Sequence, residues 1–306
     1  MDNNSSSFHN LNADKGLKIW QKPIYLLVNV INNLLPNLNG DPRLKPISFR
    51  PKVSKEDWFS IEKTASMARK WSHLFWMSLP WDKFSKKIGS LNILDIGCGP
   101  GGYGPRFLKW GGKNISSYLG VDPLPKRQDR WNLLMKQDPR LKYKVGTAGD
   151  IESLLEGQIN MVVSQSALEH IDYDILFFRR IAESLKKNPK PFLQIHLIPA
   201  ASTLALYLFH GIRQYTPSTI SKITKLFPDA DVKLYGLGGW SSWFLHWKVL
   251  TWPLLIKRKE NLTNRADYPG RSWSAFSEDV KKSSGPALFY ALVIASGINK
   301  SIFNQK

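Results

Sequence analysis

A short apolar segment that runs directly into a glycine-rich turn constrains the fold of this chain more than any other feature. Residues 92–104, NILDIGCGPGGYG, have the pattern of a β-strand, a sharp turn and the start of a helix. Glycine allows the backbone to turn sharply and to approach a ligand without a Cβ in the way. The free N–H groups at the start of the following helix favour an anionic group. The segment therefore predicts a ligand-binding strand–turn–helix unit.

From residue 92 onward, short apolar runs alternate with polar helical segments. The runs predict strands at 92–97, 117–122, 143–147, 160–165 and 191–197. The clearest helix between them is predicted at 172–186, and two later strands are predicted at 231–239 and 287–296. Alternating strands and helices imply parallel strands joined by right-handed crossovers. We therefore expect an α/β fold with a doubly wound, mostly parallel, seven-stranded sheet that binds its ligand beyond the carboxyl ends of the strands.

The chain divides into three regions around this sheet. Residues 1–87 are expected to give a disordered start and a helical N-terminal extension, with an amphipathic helix at 56–75. Residues 88–200 form the expected ligand-binding core. Residues 201–306 are expected to add a substrate-recognition insertion and the last strands of the sheet. A helix is expected to begin near 216–218, with Ser218 as its cap.

The formal net charge of +19 is concentrated in the flanks, at +7 for residues 1–90, +4 for 91–200 and +8 for 201–306. A basic surface favours an anionic glycan, an anionic membrane face or nucleic acid, and a basic protein without such a partner is the plainer alternative. The single cysteine, Cys98, excludes an internal disulfide and fits a reducing, cytoplasmic location. No stretch reaches the length of a membrane span. The apolar, Trp-rich run at 243–256 is expected to be core or pocket lining, or else to lie at a bilayer surface.

Three acidic residues narrow the choice of ligand. The spacing of Gly97, Gly99 and Gly102 matches a dinucleotide-binding pattern, which alone is a weak signal. Asp95 would repel a pyrophosphate but suits a ligand with an ammonium group. Asp122 ends the second predicted strand, where a carboxylate can accept from both ribose hydroxyls, and Asp150 follows the third, where it can accept from an adenine amino group. Ribose, adenine and an ammonium-bearing tail together describe S-adenosylmethionine.

These motifs resemble those of the class I S-adenosylmethionine-dependent methyltransferases. The segments LDIGCGPG, YLGVDP, AGDI and VVSQSALEHI stand in that family's order and spacing, and the resemblance covers roughly residues 88–199. It implies that Asp95, Gly97 and Gly99 hold the methionine portion of the cofactor and that Asp122 holds the ribose. It also implies that Asp150 and Ile151 hold the adenine and that Ser164 and Gln165 lie near the methyl group.

The loop after the fourth predicted strand indicates the class of methyl acceptor. Enzymes that methylate amino groups of adenine or cytosine resemble one another in an Asn/Asp-Pro-Pro-aromatic signature there, and this chain has Ser-Gln-Ser-Ala at 164–167. Enzymes that methylate a pyrimidine carbon need a nucleophilic cysteine, whereas Cys98 lies in the glycine loop. The following Leu-Glu-His at 168–170 looks like the loop of methyltransferases that act on small molecules, lipids and sugars.

Two groups of residues are candidates for the acceptor side. His170 and His196 are candidate general bases, because the pKa of imidazole lies near neutrality, although a structural role is open for both. The segment FHGIRQYTP is weakly similar to methyltransferases encoded alongside bacterial surface-polysaccharide enzymes, and an ordinary basic loop is the alternative. Its candidate substrate-binding residues, the first two expected on one face of a helical turn, are His210, Arg213, Gln214 and Tyr215. No metal site is predicted.

The sequence therefore predicts a class I methyltransferase. Its expected reaction is O-methylation of a sugar, glycan or lipid-linked precursor by in-line methyl transfer, at the inner membrane face or in the cytoplasm. An RNA methyltransferase is the main alternative, because of the net charge. A nicotinamide-dependent oxidoreductase and a non-catalytic binding module with this fold remain further alternatives.

Overall fold

A computed structural model of the chain describes residues 4–35, 40–124, 127–256, 262 and 265–298, and it is built around one eight-stranded sheet. The strand order is β1-β7-β8-β6-β5-β2-β3-β4, and all neighbours are parallel except β8, which runs antiparallel to β6 and β7. The strands are β1 Pro46–Ser48, β2 Leu91–Ile96, β3 Ile115–Asp122, β4 Leu141–Val145, β5 Met161–Gln165, β6 Phe192–Pro199, β7 Asp231–Leu237 and β8 Phe289–Ser296. The predicted doubly wound α/β fold is confirmed.

The sheet has one strand more than the seven predicted. The additional strand, β1, contributes three exposed residues and pairs in parallel with β7 at the sheet edge. It carries neither an alternating nor a continuous apolar pattern that distinguishes it from a loop. From β2, the chain adds β3 and β4 on one side of the sheet and then β5 and β6 on the other side. This change of direction places the switch point of the sheet at the end of β2.

Helices cover both faces of the sheet. They are α1 Gln21–Leu34, α2 Lys55–Ser60, α3 Met67–Met77, α4 Trp81–Ile88, α5 Tyr103–Gly111, α6 Gln128–Gln137, α7 Ile151–Leu155, α8 Asp174–Lys187, α9 Leu204–Tyr207, α10 Pro217–Thr224, α11 Trp240–His246, α12 Trp252–Leu255 and α13 Tyr268–Lys282. A π-helical turn, Trp247–Thr251, joins α11 to α12. None of the helices in these described ranges is long and apolar enough to cross a membrane.

Two predicted helices differ in the structure. The single helix expected at 56–75 is two helices, α2 and α3, because the chain leaves the helix at Ile61 and starts again with Ser66 as a new N-cap. The predicted cap Ser218 is wrong. Thr216 caps α10 and accepts a hydrogen bond from the backbone of Thr219, with Pro217 as the first helical residue, which is the position proline favours.

Tryptophan forms much of the core on one face of the sheet. Trp58, Trp71 and Trp76 are fully buried in the cluster that also holds parts of α4, α5 and α13. On the other face, aliphatic and Phe side chains of α7, α8 and α10 pack against the sheet. The N-terminal extension is therefore part of the core, since it supplies the cover for one sheet face.

The start of the chain is also part of the fold from residue 4 onward, which corrects the disorder expected there. Ser6 is buried, and its backbone N–H and hydroxyl donate to the Asp174 carboxylate at 2.8 and 2.5 Å. Tyr215 donates to the same carboxylate at 2.9 Å, and the Arg213 guanidinium lies 3.5 Å from it. A buried charge of this kind is tolerated because it is paired and fully hydrogen-bonded.

We predict that Asp174→Ala lowers the free energy of unfolding by about 3–5 kcal/mol, because it leaves Arg213 buried without its anion. Asp172→Ala is the matched control, since Asp172 is half-exposed and its carboxylate forms an ion pair with exposed Lys15, and we expect it to cost less than about 1 kcal/mol. Urea unfolding of the two variants measures the difference. Equal stability of the two variants would contradict the role given to Asp174.

Candidate functional site

A cavity of about 1490 Å³ lies at the carboxyl ends of β2, β3 and β5, at the switch point of the sheet. The glycine loop after β2, the end of β3 and the loop after β5 form one side of it. The first 15 positions, α3, α5, α6, α8 and the loop after β4 also contribute residues to its wall. The cavity is therefore where the fold predicts the ligand, and the N-terminal extension helps to enclose it.

The glycine loop has the close backbone approach that its sequence predicts. Gly97 and Gly99 have φ angles of +73° and +57°, a region that side chains rarely adopt. A Cβ at Gly97 would lie 2.4 Å from the Ala167 Cβ, and one at Gly99 would lie 2.7 Å from a guanidinium nitrogen of Arg127. The loops after β2 and β5 therefore touch at Gly97, and both line the cavity.

Asp95 lies in the wall of this cavity and is buried. The Tyr118 hydroxyl donates to its carboxylate at 2.6 Å. Burial raises the pKa of Asp95 to about 7, although this hydrogen bond opposes the rise, and the nearby Asp122 carboxylate adds to it. A cationic ligand would stabilise the ionised form. This environment suits an ammonium group, which is the ligand group that Asp95 is predicted to bind.

The structure separates the roles of Asp122 and Asp150. Asp122 ends β3, lines the cavity and accepts from the backbone N–H groups of Gly99 and Leu124 at 2.9 and 3.1 Å. Asp150 is exposed, and its carboxylate accepts from the backbone and hydroxyl of Thr147 in a capping box. It does not line the cavity, and the Ile151 side chain is buried in the core. The cavity wall predicted to meet adenine is formed instead by residues 146–149.

Only one of the two residues predicted beside the methyl group faces the cavity. Gln165 lines it and accepts a hydrogen bond from the Trp76 indole at 2.9 Å. Ser164 is buried and bonds to Nδ1 of His196 at 2.9 Å, inside the protein. His196 is fully buried, and this burial lowers the pKa of its imidazole to about 3. The prediction of His196 as a general base is therefore wrong, because no ligand in the cavity reaches it.

His170 lines the cavity, and it belongs to a cluster of four titratable side chains. Its Nδ1 lies 2.5 Å from a carboxylate oxygen of Asp14, which also lines the cavity. The rings of His170 and His210 meet edge to face with centroids 4.7 Å apart. The Nε2 atoms of both rings lie 3.8 Å from the same carboxylate oxygen of Glu169. The structure thus brings His210 to His170, in a turn rather than the expected helix.

The other residues predicted to bind substrate are structural. Arg213 is 1% exposed and donates to the backbone oxygens of Ile171 and Asp172 at 2.7 and 3.0 Å. Tyr215 is fully buried against Asp174, and Gln214 is buried as well. None of these three lines the cavity, so their prediction as substrate-binding residues is wrong. The Trp residues of the run at 243–256 do not line the cavity either, and the basic residues at 257–259 lie outside the described residues.

The cavity also contains a cluster of basic residues that the sequence motifs do not predict. Arg69 and Arg106 both lie over the ring of Tyr103, at 5.7 and 5.5 Å from its centroid. His73 lies beside them, is 4% exposed, and its Nε2 has no hydrogen-bond partner among the described residues. Further guanidinium groups in the cavity wall are those of Arg127, Arg130 and Arg180. The residues on α3 are far in sequence from the glycine loop, so no local motif links them to it.

Burial and neighbouring charges set the protonation of this cluster. Burial, together with the positive charges of Arg106 and Arg69, lowers the pKa of His73 to about 3. The imidazole is therefore neutral at physiological pH. Its unpartnered nitrogen at the cavity wall is available to a ligand.

Comparison with known families identifies the segment that carries much of this cavity wall. Residues 93–188, about a third of the chain, match the family model described as a methyltransferase domain. No curated protein matches the chain. The matched segment contains Asp95, the glycine loop, Asp122 and His170.

Among solved structures, similar folds include a candidate sarcosine dimethylglycine methyltransferase from Galdieria sulphuraria, with 13% identity, a TM-score of 0.47, and coverage of 73% of this chain and 84% of that one. The plantazolicin methyltransferase BamL, in complex with a triazolic desmethylPZN analog and SAH, has 15% identity, a TM-score of 0.44, and coverage of 79% and 94%. These likenesses concern the fold alone. With the family match and the cavity at the switch point, residues 93–188 are a methyltransferase domain, and S-adenosylmethionine is its cofactor.

We predict that Asp122→Ala weakens the binding of S-adenosylhomocysteine by about 1–3 kcal/mol, through the loss of hydrogen bonds to a charged group. Asp150→Ala removes the same charge from the helix cap outside the cavity, and we expect its affinity to stay within about twofold of wild type. Calorimetric titration of both variants compares them. A larger loss for Asp150→Ala would return the adenine-binding role to Asp150.

We also predict that S-adenosylhomocysteine binding below pH 7 releases a proton from Asp95. The empty site favours the protonated carboxyl below its pKa of about 7, whereas the ammonium group of the ligand favours the carboxylate. Affinity should therefore rise with pH and level off above about 7, by at most about tenfold per unit. Titrations at pH 6 in buffers of different ionisation enthalpy measure the released proton. A wild-type release equal to that of Asp95→Asn would refute this assignment.

Proposed function

We propose that this enzyme O-methylates an anionic sugar, glycan or lipid-linked precursor while bound to an anionic membrane surface. The observation that carries the proposal is the inverted face of α1. Apart from Lys22, its exposed residues are apolar, its buried residues carry polar groups, and the cavity beside it is lined with cations.

An anionic acceptor fits the charge of the cavity. No carboxylate of the described residues lies within salt-bridge distance of the guanidinium groups of Arg69, Arg106, Arg127 or Arg130. One such group suffices for the carboxylate of the cofactor's methionine portion. The remaining groups can bind a phosphate, diphosphate or sugar carboxylate, to which arginine donates bidentately.

A membrane location is supported by α1 and the turn before it. Tyr25, Asn29 and Asn32 are buried, whereas the large apolar residues point outward. The outward side chains, with their exposed fractions, are Ile19 87%, Trp20 61%, Ile24 42%, Leu27 59%, Val30 42%, Ile31 42% and Leu34 76%. A continuous apolar face of this kind is typical of helices that lie in the plane of a bilayer interface.

Charge and position connect this face to anionic lipid and to the cavity. Lys15, Lys18 and Lys22 are exposed beside it, and α1 contains no acidic residue, so an anionic lipid surface is complementary. The Tyr25 hydroxyl on the inner face of α1 donates to the backbone oxygen of His210 at 2.8 Å. A membrane bound to the outer face would therefore lie close to the cavity rim, where a lipid-linked acceptor could enter.

The reacting atom is proposed to be a hydroxyl oxygen. The loop after β5 lacks the signature that amino-group methyltransferases of nucleobases share. Burial raises the pKa of Cys98 far above its usual range, so this thiol does not supply the nucleophilic thiolate that pyrimidine-carbon methylation needs. These observations favour a sugar hydroxyl over a nucleobase.

A methyl-transfer assay tests the proposal with labelled S-adenosylmethionine and four acceptor sets: nucleotide sugars, diphosphate-linked lipid sugars in vesicles, neutral sugars and RNA. We expect label in the anionic sugar or lipid-linked acceptors. We also expect Leu27→Gln with Leu34→Gln to weaken binding to phosphatidylglycerol vesicles about 100-fold, because two leucines no longer insert into the bilayer.

Leu133→Gln is the matched control for vesicle binding, because Leu133 is 61% exposed on α6, outside the α1 face. Its vesicle affinity should equal that of wild type. Transfer to RNA alone would replace the proposal with the RNA methyltransferase. Wild-type vesicle binding by the α1 double variant, or self-association of the protein through α1, would reject the membrane face.

A further inference from the structure

Four titratable side chains meet at the cavity rim, and none of them is among the residues predicted to bind the cofactor. Asp14 comes from a 3₁₀ turn near the start of the chain, Glu169 and His170 from a 3₁₀ turn after β5, and His210 from the turn after α9. Ligand atoms of Glu169, His170 and His210 all lie within 4.8 Å of one another. His170 and Asp14 also line the cavity, so the cluster faces the space where an acceptor would bind.

Glu169 is the unusual member of this cluster. It is 0% exposed, and neither of its carboxylate oxygens has a hydrogen-bond partner among the described residues. The Nε2 atoms of His170 and His210 each lie 3.8 Å from one of these oxygens, which is too long for a hydrogen bond. A buried carboxylate without partners is strongly unfavourable, so a cation or a proton is needed beside it.

Asp14 determines which ring nitrogen of His170 is available. Its carboxylate lies 2.5 Å from Nδ1 of His170, a geometry in which Nδ1–H donates to the carboxylate. The neutral imidazole then carries its lone pair on Nε2, which points at Glu169. A carboxylate–histidine pair of this kind orients the histidine ligands of metal sites. Nδ1 of His210 faces the same carboxylate at 4.0 Å, so both rings lie between Asp14 and Glu169.

Backbone contacts fix the three segments relative to one another. The Ile212 N–H donates to the Glu169 backbone oxygen at 2.8 Å, and the Ala13 N–H donates to the Gly211 oxygen at 2.9 Å. Gly211 has a φ of +64°, and a Cβ there would lie 2.8 Å from the Glu169 oxygen. The glycine therefore permits the close approach that brings His210 to Glu169.

We infer that Glu169, His170 and His210 form a binding site for a divalent transition-metal ion, with Asp14 as the residue that orients His170. Two imidazoles and one carboxylate are a ligand set that such ions accept with further positions open to water or substrate. The ion would neutralise the Glu169 carboxylate and satisfy both Nε2 lone pairs. Zn²⁺, Mn²⁺ and Co²⁺ are the ions to test.

The role of the ion rests on the proposed O-methylation. Held by Glu169, His170 and His210, the ion would supply Lewis acidity that makes an acceptor hydroxyl more acidic, and the proton of that hydroxyl would pass to solvent. The hydroxyl oxygen then forms the new C–O bond as the S–CH₃ bond of S-adenosylmethionine breaks, which leaves S-adenosylhomocysteine. The ion keeps its oxidation state. His170 then serves as a metal ligand, and the metal replaces it as the means of activating the hydroxyl.

The inference is tested with the untagged, metal-free full-length protein. Calorimetric titration with Zn²⁺ and Mn²⁺, and the visible absorption of added Co²⁺, should show one equivalent bound. We expect Glu169→Gln and His210→Asn each to weaken metal binding about 100-fold or more. Loss of a residue that only hydrogen-bonds to a metal ligand already lowers metal affinity about 10- to 100-fold. Asp14→Asn should fall in that outer-shell range.

Asp172→Asn is the matched control, because it removes one carboxylate two residues from His170 and should leave the metal affinity unchanged. Thermal unfolding of each variant verifies that it is folded. No stoichiometric binding by the wild type overturns the inference, as does wild-type affinity in both Glu169→Gln and His210→Asn. Such a result would indicate instead that protonated imidazoles neutralise Glu169.

Parallel measurements distinguish the failure of this site from the failure of the proposed function. Absence of metal binding together with methyl transfer that persists in a chelator rejects the metal site and its role, and leaves O-methylation intact. One bound metal without transfer to any sugar or lipid-linked acceptor rejects the proposed acceptors and leaves the metal site intact.

Discussion

The contact between the loops after β2 and β5 at Gly97 determines the shape of the cavity. A side chain at position 97 would need the space that the Ala167 Cβ occupies, 2.4 Å away. It would push apart the loop that carries the glycines predicted to bind the cofactor and the loop that leads to His170. Because β2 and β5 are neighbours in the sheet, this single close approach brings cofactor chemistry and acceptor chemistry to one place.

The cavity separates charge in a way that suits a zwitterionic cofactor and an anionic acceptor. Asp95 and Asp122 lie at the strand ends, where a cationic group would stabilise them. Arg69 and Arg106 lie across the ring of Tyr103, in the part built by α3 and α5. Because the carboxylates and the guanidinium groups form no salt bridges with one another among the described residues, they are available to ligands.

How much the sequence could predict depends on how local each signal is. The positions of the strands along the chain, the glycine loop, and the places of Asp95 and Asp122 at strand ends follow from short motifs, and the structure agrees with these positions. The roles predicted for His196 and Arg213 are wrong because the sequence does not distinguish a polar residue that faces a cavity from one that forms hydrogen bonds with other buried groups. Arg213 bonds to carbonyl groups more than forty positions earlier in the chain, at Ile171 and Asp172, a contact that no local pattern encodes.

The same reason explains why the sequence does not predict the fold of the N-terminal segment. Its polar start is typical of a disordered terminus, and the Asn residues of α1 interrupt an apolar run. In the structure, Ser6 satisfies a buried carboxylate, Asp14 orients His170, and α1 buries its Asn residues while exposing its apolar ones. A helix with this inverted pattern is unfavourable in water, so a partner that covers the apolar face would compensate for it. The segment thus contributes to the stability of the core, to the geometry of the cluster around Glu169 and to the surface proposed to meet the membrane. The proposed acceptor recognition therefore depends on a part of the chain outside the methyltransferase domain.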